Sequence, residues 1–498
     1  MRRQCCPTTT GLGLLTLIFC RDCLYALAIP CARHTVPGLE AWVMNFRTIC
    51  VSALALVVAA APVSVQAESL REALTAAYNN NPNITSALLA VKSTAEGIVT
   101  AKAGRLPSIG AGLDLTHSFN NAVNGNFNST DTATLGLSYN QTLFDNGKTD
   151  AAIEQARAMT EVSAQALRNA EQNVLLSVVQ AYMGVIRDSQ LVQLRSDNVK
   201  FLQAQVKSAQ DRLDIGEGTK LDVSQAQTGL ATGVASYQAA IANLQTSQAS
   251  YERWVGHKPR NLTQDFSFKG MLPKSVEEAI AASDVYHPAI LSAKAAIRAA
   301  QSGSDQARAA FGPTMNLIGK IGTTGTLNES AGNSTNVISG SVGLSLSIPL
   351  YSGGVLGASV RKANLGQMKS EFDAQVTRDQ VREAVVTSWA TLQNAVAQID
   401  AAQQALNAAS LALDATVQSR DVGQSTTLDV LNAQSQVTQA RESLISATSS
   451  RVIASFALVS ATGKLSAGDL KLPVKIKSAD GYIATVEDVW QDLRAIAE

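Results

Sequence analysis

The sequence predicts an α+β membrane protein. Its helices form a long antiparallel α-helical coiled-coil barrel, and its four β-strands per chain contribute to a twelve-stranded transmembrane β-barrel shared by a trimer. Three observations carry that reading. The motif G-x-x-T-x-x-D occurs twice, over 216–222 and 423–429, 207 residues apart. Each copy interrupts a very long run rich in Ala, Gln, Leu and Val. Four stretches of about ten residues alternate apolar with small or polar side chains, as lipid-facing barrel strands do.

Each motif predicts a sharp tip between two helices. Gly216 and Gly423 can take the positive φ that ends a helix. Thr219 and Thr426 suit the N-cap of the next helix, and Asp222 and Asp429 fall at its N3 position, facing the positive end of the helix dipole. A single copy would read as an ordinary interhelical turn; the shared spacing makes the case. The 207-residue offset also relates Leu143-Phe144-Asp145-Asn146-Gly147 to Leu350-Tyr351-Ser352-Gly353-Gly354, Tyr182 to Trp389 and Gly256 to Gly463. An offset of 206 relates Glu72-Ala73-Leu74 and Asn81-Pro82 to Glu278-Ala279-Ile280 and His287-Pro288, and Pro107 to Pro313. Such repetition predicts an internal duplication. The first repeat spans 68–262, a linker 263–274, the second repeat 275–466, and a tail 467–498.

The 498 residues carry 40 basic and 40 acidic side chains, and charged residues are only 16%. No basic bias marks a nucleic-acid partner. Aromatics, at 5%, are few for a compact core, whereas the many small residues suit closely packed long helices. All six cysteines (Cys5, Cys6, Cys20, Cys23, Cys31, Cys50) lie in the first fifty residues. From Met44 the chain reads as a signal peptide over 44–67, with Arg47, an apolar core from Ile49 to Ala61, and Val65-Gln66-Ala67 before Glu68. That apolar run is short for a membrane-spanning helix. Residues 1–43, Cys-rich and broken by proline, read as an upstream extension outside the fold; a second targeting segment is the alternative. Removing 1–67 takes away five basic residues (Arg2, Arg3, Arg21, Arg33, Arg47) and two acidic ones (Asp22, Glu40). The 40 and 40 of the full chain become 35 and 38, a net charge of −3. A mature chain without cysteine must draw its stability from packing or oligomerisation.

In order, the first repeat predicts a short amphipathic helix from Ser69 to Asn80, stopped before Pro82, and a second helix from Asn83 to Arg105. A strand follows, with Ile109, Ala111, Leu113 and Leu115 on one face. Residues 119–130 read as a polar loop. The next strand carries Ala133, Leu135, Leu137 and Tyr139 on one face, and a turn closes over 143–147. From Lys148 to about Leu213 one uninterrupted helix of roughly 100 Å is predicted, and from Lys220 to Val255 one of roughly 55 Å. The shorter helix and the one before the strands can stack end to end along the long one. The second repeat predicts the same order: helices over 275–286 and 289–311, a strand over 315–324, a polar loop over 325–336, a strand over 338–348, then helices over 355–420 and 427–461. In the tail, Val486, Val489, Trp490 and Leu493 predict a small terminal helix.

Four strands cannot close a barrel, and open edges cannot face lipid. The barrel must therefore be built from several chains, and three would supply twelve strands. An amphipathic sheet on a soluble domain is the alternative for the strands alone. Chemistry is sparse: His117, His257 and His287 stand apart, with no phosphate loop and no nucleophile in a catalytic context, which argues against an enzyme and against a cofactor or metal.

At this point the residues resemble the TolC family of outer-membrane efflux proteins, across essentially all of 69–466. The resemblance rests on the repeated helix–strand–strand–helix unit, the opening Leu70-Arg71-Glu72-Ala73-Leu74 with Asn81-Pro82, the Leu350–Gly354 turn and the paired tips. It implies a homotrimer in the outer membrane of a Gram-negative bacterium, with a helical tunnel in the periplasm. It also implies docking to a periplasmic adaptor (membrane fusion) protein and, through it, an inner-membrane pump or ABC exporter. The implied role is a passive exit duct for drugs and other toxic small molecules. The duct of a type I protein secretion system is one alternative, and a structural coiled-coil protein is another. In the family the second tip lines the periplasmic entrance with two acidic rings. Asp429 matches the first and Asn432 stands at the second, so one ring is missing. Ser425 replaces a family arginine, and Arg420 replaces a tyrosine. The resemblance then makes Asp222, Arg420, Asp429 and Asn432 the periplasmic gate, with Arg420 pairing Asp222 as a latch. It makes Gly216, Thr219, Gly423 and Thr426 the adaptor-docking tips. The plainer alternative keeps Asp222 and Asp429 as N-terminal helix acids.

Overall fold

The computed structural model describes residues 67–121, 127–264, 270–328, 333–487 and 489. The upstream extension, the signal peptide up to Gln66 and all six cysteines lie outside the described residues, as do Trp490 and Leu493.

Helix α1 (Leu70–Asn80) begins on a capping box. The Ser69 hydroxyl accepts the Glu72 N–H at 3.3 Å, and the Glu72 carboxylate accepts the Ser69 N–H at 3.0 Å. Its apolar face, Leu70, Ala73, Leu74, Ala77 and Tyr78, is buried. Asn81 is both the last cap of α1 and the first cap of α2 (Pro82–Lys102), held extended by the proline that follows it. A single 3-10 turn over Ala103–Arg105 leads to the strands.

Strands β1 (Ser108–Asn121) and β2 (Phe127–Phe144) form one hairpin, and β3 (Thr314–Asn328) and β4 (Asn333–Ser347) another. The four make one antiparallel sheet in the order β1-β2-β3-β4. The strands are 14, 18, 15 and 15 residues long rather than about ten. Of the segments 119–130 and 325–336, expected as loops, residues 119–121, 127–130, 325–328 and 333–336 are strand, and residues 122–126 and 329–332 lie outside the described residues. Their Asn, Ser and Thr side chains signal exposure to water, but the backbone ladder extends into both segments, with Phe119 opposite Ser129 and Thr326 opposite Thr335. The expected faces hold. Leu113 lies opposite Leu135, Leu137 opposite Ile321, and Leu317 opposite Leu344. That apolar face is open: Leu115 is 75% exposed, Ile338 81% and Val342 83%.

The helices after the strands match the expected order closely. They are α3 (Lys148–Asp214), α4 (Lys220–Val255), α5 (Val276–Tyr286), α6 (Pro288–Ala309), α7 (Val355–Asp421) and α8 (Thr427–Ala461). At 1.5 Å per residue the 67-residue α3 and α7 are each roughly 100 Å long. The Asn81 amide donates to the Trp254 carbonyl at 3.0 Å, so the end of α4 meets the α1–α2 joint. Helices α2 and α4 thus follow one another along α3. The terminal helix α9 (Asp480–Glu487) starts earlier than expected and packs on α2, where the Tyr482 hydroxyl donates to Glu96 at 2.5 Å.

The main core lies where α1 meets the middle of α3. Leu70, Leu74 and Tyr78 pack with Leu175, Val178 and Tyr182 of α3, Tyr251 and Val255 of α4, and Leu465 and Leu470 of the tail. Burying each such side chain contributes roughly 1.5–3 kcal/mol. The Tyr182 hydroxyl sits between the carbonyls of Thr263 (2.7 Å) and Glu68 (2.9 Å). These bonds tie the start of the fold and the segment after α4 to the long helix.

Candidate functional site

The two tips sit between α3 and α4 and between α7 and α8. Gly216 (φ 81°) and Gly423 (φ 79°) take the left-handed conformation that turns the chain out of the long helices. Orphan carbonyls are recaptured at once. The Glu217 and Gly218 N–H groups both donate to Arg212 O (2.9 and 3.0 Å), and the Gln424 N–H to Ser419 O (2.8 Å). Thr219 and Thr426 then start the returning helices as N-caps. Asp222 accepts the Thr219 N–H (3.1 Å) and hydroxyl (2.6 Å), and Asp429 accepts the Thr426 N–H (2.9 Å) and hydroxyl (2.7 Å). Each box is closed by the Thr oxygen accepting the Asp N–H at 3.2 Å.

These bonds hold both carboxyls below the ordinary aspartate range. For Asp222 the Thr219 hydroxyl is the main cause, opposed in part by burial, with Thr427 of the second tip also lowering it. For Asp429 the Thr426 N–H leads and the Thr426 hydroxyl follows. Asn432 lies one turn beyond Asp429 and is exposed.

Within one chain, Arg420 does not sit on Asp222. Its guanidinium is buried and donates to Gln205 Oε1 of α3 at 2.5 Å and to Asp421 Oδ1 at 2.8 Å. The sequence pairs a charge with a charge, whereas the packed helices offer a neutral amide oxygen and the next residue's carboxylate. The Arg420–Gln205 bond is the lower end of a polar seam between α3 and the α7–α8 pair. Higher up, the Gln434 amide donates to Asn198 Oδ1 (2.9 Å), and Arg195 pairs with Glu442. Beside this seam α4 and α8 part to leave a groove of about 650 Å³, floored by Leu202. Gly233 makes room for that leucine; a methyl there would overlap it.

Sequence reasoning missed the apolar side chains at the tips. Ile215 and Leu221 on the first, and Val422 and Leu428 on the second, are 69%, 64%, 70% and 45% exposed. The available signal was the 207-residue offset itself, which relates Ile215 to Val422 and Leu221 to Leu428 within otherwise polar turns.

A family model described as "Outer membrane efflux protein" matches residues 73–257 and again 282–464. The chain belongs to that family. It is an outer-membrane efflux channel protein, which accords with the lack of a catalytic constellation in its sequence. BepC of Brucella suis, an outer membrane efflux protein, is 36% identical over 432 residues, covering 86% of this chain and 92% of BepC. TolC of Escherichia coli is 25% identical over 426 residues, covering 81% and 84%. The crystal structure of VceC from Vibrio cholerae superposes with a TM-score of 0.66 at 21% identity, over 79% of this chain and 96% of that one. The expected α+β fold, mostly helical with one four-stranded sheet, is therefore a family fold.

Proposed function

We propose that three copies of this chain close one twelve-stranded β-barrel in the outer membrane and one α-helical tunnel beneath it, each chain being a duplicated unit. The observation that carries this reading is the four-stranded sheet. One face is apolar and exposed, and β1 and β4 each have one strand neighbour among the described residues. In lipid such edges must be paired. The duct is passive; drugs and other toxic small molecules enter from the periplasm. The tips, with Gly216, Thr219, Gly423 and Thr426 shaping the turns and Ile215, Leu221, Val422 and Leu428 exposed on them, dock a periplasmic adaptor protein and through it an inner-membrane pump or ABC exporter. AprF of Pseudomonas aeruginosa, 26% identical over 344 residues, is an alkaline protease secretion protein. It favours a second reading, the duct of a type I secretion system, which a deletion strain separates by compound sensitivity on one hand and a missing secreted protein on the other.

Asp222, Arg420, Asp429 and Asn432 form the gate. The closed state is held where Arg420 binds Gln205 and where Asp222 faces Thr427, so opening swings α7 and α8 away from α3 and α4. Single-channel conductance in planar bilayers tests this. Arg420→Ala and Gln205→Ala are each expected to raise the closed-state conductance several-fold, and Asp222→Asn by less. Unchanged conductance in all three would remove the gate. A soluble single-chain particle would remove the barrel.

A further inference from the structure

The polar face of the sheet carries very little charge. Leu113, Leu135, Ile321 and Leu344 mark the apolar face of the four strands, so the alternate residues of each strand point the other way. On that second face Gly, Ser, Thr and Asn predominate. Among the described residues of the four strands, its charged side chains are Asp114 on β1 and Lys320 on β3, and both are exposed. The other acid of the sheet, Asp131, lies on the apolar face and is bonded there to His117 at 2.5 Å.

The two charges occupy one and the same position of the repeat. Asp114 shifted by 206 residues is Lys320, and Thr134 shifted by 207 is Ser341. The strand register agrees, since Asp114 lies opposite Thr134 and Lys320 opposite Ser341. Within one chain the two do not pair. On its other side Lys320 lies opposite Ser138, four residues along β2 from Thr134. Asp114 and Lys320 are therefore about 13 Å apart along the strands and about 10 Å apart across them, against the roughly 4 Å of an ion pair. The four-residue offset is the kind of stagger that tilted barrel strands require. In a barrel built from like hairpins, matched positions of the repeat stand at one height, so an acid in one half and a base in the other share a level.

We propose that Asp114 and Lys320 line the lumen of the duct as one ring of alternating charges and set its charge preference. The proposal rests on the trimer reading, in which three copies supply three carboxylates and three ammonium groups. A ring of a single sign favours solutes of the opposite sign, as acidic rings do in cation channels. Here the two signs cancel at a distance, while a solute close to the wall finds a partner for either charge. The rest of the level is small or uncharged: Gly112 and Thr116 flank Asp114 on its face, and Ile318 and Gly322 flank Lys320. The barrel therefore passes cationic, anionic and zwitterionic small molecules alike, and removing either charge gives it a preference.

Charged thiol reagents test this in outer membranes, whatever the state of the tips. The full chain is used, with the six native cysteines changed to serine. A reporter cysteine is placed at Thr134, opposite Asp114, or at Ser138, opposite Lys320. Each is labelled with a cationic and an anionic methanethiosulfonate of like size in about 0.1 M salt, where the Debye length is about 10 Å. The quantity read is the ratio of the two rates. Lys320→Gln is expected to raise the cationic-to-anionic ratio several-fold at Ser138→Cys, and Asp114→Asn to lower it several-fold at Thr134→Cys. Both shifts are expected to shrink at about 1 M salt, where the Debye length is about 3 Å, which a change of packing would not do. Unchanged ratios in both variants overturn the ring. Leu135→Cys, on the apolar face, is expected to stay unlabelled. Labelling there as fast as at Ser138→Cys would show that no lipid covers that face and would remove the barrel itself; protection there with unmoved ratios removes the charge ring alone. The exchange of Asp114→Lys with Lys320→Asp tests the single level. Its rectification in planar bilayers is expected to match that of the unaltered chain, and rectification of the opposite sense would place the two charges at different heights and overturn the ring.

Discussion

Helices α3 and α7 have the same length, the same place in their halves and the same kind of turn at each end, yet they are buried very differently. Of the 67 residues in each, twenty of α3 are buried and five of α7. Helix α3 is covered by α1, α2, α4, α6 and α8, and the tail adds Leu465 and Leu470 at its middle. Helix α7 packs along α5, α6 and α8, reaches α3 through Arg420 on Gln205 near the tip, and leaves Leu365, Met368, Phe372 and Val376 exposed along one face. A helix this long with so little burial has no tertiary reason to stay straight. The difference teaches that, within one chain, the first long helix carries most of the core and the second little of it.

The largest effect that would sharpen this contrast comes from the two cores. Leu175→Ala, at a fully buried position of α3, is expected to cost about 2–5 kcal/mol, read as a lower denaturation midpoint whatever the state of assembly. Phe372→Ser is expected to leave helix content unchanged and reduce native mass in detergent. Equal loss of midpoint in both, with native mass intact, would break the comparison. A smaller effect separates two matched buried positions, one in each half. The Tyr251 hydroxyl donates to the buried Glu68 carboxylate at 2.6 Å, and burial, with Glu68, pushes that phenol far above its ordinary range. The same position in the second half is Leu458, fully buried among Ala279, Val385 and Ala461. Tyr251→Phe is expected to cost about 1–3 kcal/mol by leaving the carboxylate without that donor, measured by chemical denaturation. Leu458→Met is expected to be nearly neutral, since volume is conserved.

How much of this was legible in the sequence depends on where the signal is local. The bounds of α4 and α8 were legible to the residue because Thr219 and Thr426 cap them with an aspartate three positions on. The long helices were legible because neither proline nor glycine punctuates them enough to stop them. Strand ends were not, because Asn, Ser and Thr report exposure and the ladder does not depend on them. The partner of Arg420 was not legible either. Gln205 lies on another helix more than two hundred residues away, and no pattern marks a neutral amide as the acceptor for a buried guanidinium. The tip hydrophobics were hidden for the opposite reason: single apolar residues in a turn look incidental until their exposure is measured.

The smallest expected effect compares the tips with each other. Both aspartates lie below the ordinary value, so each contributes stability that is complete above the unfolded value of about 3.9 and is lost as pH falls through the folded value. Tip order is therefore expected to be flat from about pH 8 to pH 5 and to loosen only below about pH 4. Thr219→Ala removes the hydroxyl that chiefly holds Asp222 down. It is expected to cost about 1 kcal/mol and to bring the onset of loosening at the first tip closer to the ordinary aspartate value. At the second tip the Thr426 N–H is the leading cause, so Thr426→Ala should move the onset less. Amide hydrogen exchange of the two turns, followed from about pH 6 to pH 3 after correction for intrinsic rates, reads both at once. Loosening near pH 6 at either tip would show that another group controls the turn. Equal shifts in the two variants would show that backbone and hydroxyl donors matter alike at both tips.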